Sequence, residues 1–159
     1  MAIEQTMCTS FKAEVLLGVH DFRAATGDTF KIALYTGNAN IGPSTTAYSA
    51  TDEVTGTGYA AGGVTLTKLG VASSNVESGA SLGVGYTSFA TVVIPSTNII
   101  AAGAIIYNTT PSANGIDNTP LTNPAVCVLD FGGNKTAAGG TLTITFPANT
   151  GEAAIVRIA

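Results

Sequence analysis

From Thr29 the chain alternates: in TFKIALYT, Phe30, Ile32 and Leu34 fall on one side and Lys31, Ala33 and Tyr35 on the other. A period of two marks a strand with one face in a core. Comparable runs are VTLTKL at 64–69, YTSFATVVI at 86–94, GAIIYN at 103–108, AVCVLDF at 125–131, TLTITF at 141–146 and AAIVRI at 153–158. They predict seven strands, with an eighth to be sought within 70–80. The separators GNANIGPSTT, NTTPSANGIDNTPLTNP and GGNKTAAGG are rich in residues that turn a chain.

Only one stretch has convincing helical spacing. In SFKAEVLLGVHDF, residues 10–22, Phe11, Val15, Val19 and Phe22 recur on one face with Leu16 beside them, while Lys12, Glu14 and Asp21 fall largely elsewhere. Gly18 weakens the end of this helix. Residues 1–9 show no clear period and read as an arm. With one helix, the chain lacks the crossovers that parallel strands require. The pattern therefore predicts an all-β fold: an antiparallel, jelly-roll-like β-sandwich with one short N-terminal helix, in a single domain over 10–159.

Composition changes the picture at the surface. Charged residues make up 10% of the 159 positions, against roughly 25% in ordinary soluble domains. An exterior of small neutral groups is cheap to desolvate and repels itself weakly, which suits a molecule covered by neighbours. The longest apolar run, residues 99–107, is about half of the ~20 residues a membrane helix needs, so no membrane partner is expected. The opening MAIEQTMCTS lacks the basic and apolar segments of a secretory signal, and synthesis in the cytoplasm is expected. Six scattered Lys and Arg within a net charge of −4 can neutralise few phosphates, so no direct nucleic-acid partner is expected. Cys8 and Cys127 are expected as two buried thiols rather than a disulfide. No zinc-like spacing occurs, and no metal or cofactor is predicted.

Several stretches imitate chemical motifs. GTGYAAGG at 56–63 has the spacing G-x-G-x-x-x-G-G and precedes a strand, whereas a dinucleotide loop needs G-x-G-x-x-G before a helix. It is expected to bend the chain. Gly79-Ala80-Ser81-Leu82-Gly83 satisfies G-x-S-x-G, but the single histidine, His20, precedes Ser81 rather than following an acid after it. His20, beside Asp21, is expected to cap the carbonyls at the helix end. Asp52 and Glu53 are expected in a solvated turn, and Asp130 as a partly buried structural carboxylate or a strand-edge charge. The sequons at Asn108 and Asn134 are expected to be turn residues. No catalytic residue emerges.

The running order FKAEVLLGVHDF, DTFKIALYTGNA, STTAYSATDEVTGTGYAAGG, AIIYN, AVCVLDFGGNKTAAGGTLTITFPA and AAIVRIA resembles that of small tailed-bacteriophage virion proteins, the capsid cement or decoration proteins. The resemblance runs from about residue 11 to the end. It implies a β-domain on the outer face of a shell of major capsid protein, bridging neighbouring capsomers and self-associating as a homodimer or homotrimer. The expected location is the virion surface, after synthesis in the host bacterial cytoplasm. Expected contacts are Ile3 and Met7 of the arm and loop residues near Tyr48 and Tyr59. Alternatives are a tail, tail-tip or fibre component, or a carbohydrate- or receptor-binding module. The last is disfavoured by the absence of Trp and an aromatic content of 7%.

Overall fold

A computed structural model describes residues 2–73 and 83–159. The elements are β1 (Thr6–Met7), α1 (Thr9–Leu16), β2 (Phe30–Tyr35), β3 (Val64–Thr65), β4 (Lys68–Ser73), β5 (Gly85–Phe89), β6 (Val92–Asn108), β7 (Ala125–Ile144) and β8 (Val156–Ile158). They form two antiparallel sheets, β1-β7-β6-β2-β3 and β4-β5-β8. The fold is thus all-β and sandwich-like, with one short helix.

Two of the expected strands prove to be corners between the sheets. VTLTKL begins as β3, with Val64 opposite Ile32, and ends in β4, with Lys68 opposite Phe89. YTSFATVVI likewise divides into β5 and the start of β6. The corners are stitched together: Ala90 N–H donates to Thr67 O at 2.9 Å, and Leu66 N–H to Phe30 O at 2.8 Å. Strands that change sheets commonly bend in this way.

The turn expected at GGNKTAAGG lies inside β7 instead. β6 and β7 stay paired from Tyr107 and Ala125 to Val92 and Ile144, and the register shifts between Ala101 and Gly103 absorb the extra residues of β7. A bulge lets one strand carry surplus residues without losing its partner. The true turn of this long hairpin is the 109–124 loop.

The helix is shorter than the 10–22 pattern predicts. Leu17, Gly18 and Val19 close its last carbonyls with their own N–H groups, and Gly18 takes φ +70°, which turns the chain out of the helix. Leu16 then points to solvent at 88% exposure, whereas Glu14 is buried. The arm is ordered on its own sheet: Thr6 and Met7 face Val128 and Cys127, and Ile3 bridges Ile41.

The main core lies between the sheets. Phe22 stacks on Phe30 at 4.3 Å, Phe30 meets Phe89 at 5.9 Å, and Phe89 meets Phe146 at 5.7 Å. These rings join the segment after α1 to both sheets. The alternate residues of β2, Ala33 and Tyr35, are also buried. An excursion over residues 40–62 covers their face, where Tyr48 stacks on Tyr107 at 4.7 Å.

Candidate functional site

The glycine-rich stretch is a clamp. A side chain on Gly63 would meet Ile32 O at 1.9 Å, and one on Gly58 would meet Ser96 O at 2.6 Å, so both positions let this segment lie directly on β2 and β6. β3 follows, not a helix, so no helix N-terminus faces an anion here.

The clamp closes on a buried carboxylate. Glu53, expected in a solvated turn, is 7% exposed. Tyr48 O–H donates to its Oε2 at 2.6 Å, and Tyr59 O–H and Gly62 N–H donate to Oε1 at 2.7 and 2.8 Å. Leu34 N–H donates to the Tyr59 hydroxyl oxygen at 2.8 Å, and Tyr107 O–H donates to Gly62 O at 2.6 Å. The excursion folds this way because a charge taken from water needs several donors, and the tyrosines supply them while their rings fill the core. Tyr59 is therefore a core residue and Tyr48 half-buried, not free loop tips. Burial first, and then the Glu53 charge, pushes the Tyr48 hydroxyl up to about 12 and the Tyr59 hydroxyl further up. Both remain donors throughout the neutral range.

A second polar cluster lies at the other end of β2. His20 does not cap the helix. Its side chain is 0% exposed and bonds Glu14 Oε2 through Nε2 at 2.7 Å. Its Nδ1 lies 3.1 Å from Asn108 Nδ2, which also donates to Asp28 Oδ2 at 2.7 Å. Ser112 O–H donates to Asp28 Oδ1 at 2.6 Å, and Asp21 N–H to Oδ2 at 2.9 Å. Asn108 is fully buried. Sequence reasoning treated it as a turn residue; the available signal was its place at the end of the apolar run GAIIYN, where an amide is stable only if saturated. Asp21 pairs with Arg23 at the surface, and that hydrogen-bonded guanidinium holds its carboxyl down at about 2.

Neither cluster is arranged as a nucleophile with its base. Ser112 O–H donates to the Asp28 carboxylate, whereas the His20 nitrogens bond Glu14 and Asn108. Ser81 lies outside the described residues. Cys8 and Cys127 are free and buried, and burial pushes the Cys8 thiol up to about 11 and Cys127 higher, which suppresses thiolate chemistry. Among the described residues no group of three or more His, Cys, Asp or Glu is placed to hold a metal ion.

One open strand edge lies on β7. Beyond Val128, no strand among the described residues pairs with its outer edge. A groove of about 510 Å³ runs beside it, lined by Leu129, Phe131, Leu142, Thr143, Ile144 and Phe146 among others. Asp130 is exposed there and accepts Gly132 N–H at 2.8 Å; Lys135 also lines the groove. Ile3 and Met7 are half-buried against the chain's own core. No protein-family model, curated protein or solved structure matches this chain.

Proposed function

We propose that this chain is a non-enzymatic structural protein of a bacteriophage virion, a capsid cement protein that binds the outer face of the major capsid protein shell and stabilises it. The observation that carries this reading is the outer edge of β7 with its adjoining groove. Unpaired strand N–H and C=O groups recognise another extended chain through main-chain hydrogen bonds, and an apolar groove beside them accepts its side chains. The stretch from Thr136 to Ile144 carries no charge that would have to be desolvated on contact. The block-by-block resemblance to small virion proteins supplies the shell as the partner. The saturated interior clusters support the same reading, since their polar atoms are committed to one another and hold surface loops in place.

Shells stripped of the protein test this. Purified protein is expected to rebind them and to raise their resistance to heat. Thr143→Arg places a cation in the groove from an exposed position and is expected to weaken rebinding about tenfold or more without changing the fold of the free chain. Absence of rebinding, together with labelled protein found only on tails, would move the assignment to a tail component.

A further inference from the structure

The bonds around His20 leave no choice of proton positions. Asn108 Oδ1 accepts Thr110 N–H at 2.9 Å, so the other terminal atom is the amide nitrogen. Its two hydrogens go to Asp28 Oδ2 and to His20 Nδ1. Nδ1 must therefore be bare, and the ring carries its hydrogen on Nε2, which donates to Glu14. Both nitrogens of a neutral imidazole are thus satisfied.

Adjoining bonds tie two surface segments together. Ser112 N–H donates to Val19 O at 2.8 Å, Thr109 N–H to Thr29 O at 2.8 Å, and Thr29 N–H to Thr110 Oγ1 at 2.8 Å. With the Asp28–Ser112 bond, they fasten the start of the 109–124 loop to the 17–29 connection.

We propose that His20 is the proton-sensitive latch between these segments. A proton arriving at Nδ1 turns it into a donor pointed at the amide nitrogen of Asn108, which has no lone pair to offer. Asn108 must then withdraw, and Asp28 loses one of the two donors on its Oδ2, keeping Asp21 N–H. Flipping the amide gives no relief, because its oxygen would face Asp28 and its nitrogen would face Thr110 N–H.

The charged groups around the ring are Glu14 from α1 and Asp28 ahead of β2, both of which favour the proton. Lys68 of β4 bonds the Asp28 backbone carbonyl, and the Asp21–Arg23 pair lies on the exposed side. Phe11 at 4.9 Å and Phe22 and Phe30 at 6.3 Å enclose the imidazole and keep water from a charged ring. Burial outweighs the two carboxylates and holds the His20 pKa below its ordinary 6.5. The latch is therefore closed above that value and weakens as pH falls below it. His20 also forms a wall of an apolar groove of about 200 Å³ with Phe11, Val15, Phe22, Val71 and Ile158, between α1 and the small sheet.

Because the chain has one histidine, its imidazole nitrogens can be followed by NMR in the unmodified protein. The expected result is an Nε2–H tautomer at neutral pH. Amide exchange over 17–29 and at Ser112, corrected for its intrinsic pH dependence, is expected to rise about tenfold from pH ~7 to ~5, while the amides of the β6–β7 ribbon hold. His20→Gln is expected to abolish that rise. An Nδ1–H tautomer, an equal rise in the ribbon, or a rise that persists in His20→Gln would overturn the proposal; if the variant does not fold, the tautomer and the regional contrast decide it.

Discussion

At the scale of single residues, Glu53 concentrates more consequence than any other side chain. Its carboxylate is the shared acceptor of two phenols and an amide, and all three donors lose it together on truncation. Leaving buried donors unpaired costs about 1–3 kcal/mol each. Glu53→Ala is therefore expected to destabilise the fold by roughly 3–5 kcal/mol in urea unfolding, the sum being less than additive because the tyrosines shift together. Glu53→Gln keeps an acceptor and is expected to cost about a third of that. The tyrosines have a pH signature of opposite sense to the latch. A phenol whose folded pKa is raised adds stability below its unfolded value of 10.0, and that stability is lost as pH rises through the folded value, about 12 for Tyr48. Alkaline unfolding is expected within this window, coincident with the rise of tyrosinate absorbance. Ionisation complete by pH ~10 with the fold intact would contradict the buried hydrogen bonds.

At the scale of elements, alternation located the strands but not their ends. TFKIALYT fell in place because β2 is paired on both sides, and its own pattern fixes which residues meet the aromatic core. VTLTKL and YTSFATVVI failed as single strands because a corner between sheets keeps a period-two pattern while the partner changes. GGNKTAAGG looked like a turn for a related reason: glycines serve bulges as readily as reversals, and only the length of β6 reveals that a partner is present. The clusters were legible only in part. Glu53 and Asn108 are expected in turns, but their burial depends on partners that spacing does not mark: Tyr59 O–H donates to Glu53, and Asn108 Nδ2 donates to the carboxylate of Asp28, far away in sequence. The same long-range logic governs the segment after α1. Phe22 is not a residue of α1, yet its ring is stacked on Phe30 and touches Phe11 edge-on. Phe22→Ala is expected to cost about 3–5 kcal/mol, as for other buried aromatics. Proteolysis is expected to strike the 17–29 connection first in that variant.

At the scale of the whole molecule, sparse charge and an open strand edge make one physical statement about binding. On the proposed reading, ten acidic and six basic residues leave little with which to grip a charged lattice, so adhesion to the shell would come from main-chain hydrogen bonds and apolar contact. Such contacts are almost blind to ionic screening, whereas paired surface charges weaken as the Debye length falls from about 10 Å at 0.1 M to about 3 Å at 1 M. Rebinding to stripped shells is accordingly expected to change less than about threefold in affinity across that range. It is also expected to show a negative heat-capacity change by calorimetry, the mark of apolar surface leaving water. A loss of binding by orders of magnitude in salt would assign the grip to charged residues such as Lys135 and Asp130 beside the groove, and would take it away from the strand edge. Weak contacts of this kind would suffice on the proposed shell, because linked copies present one another's sites at high effective concentration and the lattice, not the single contact, would set the strength.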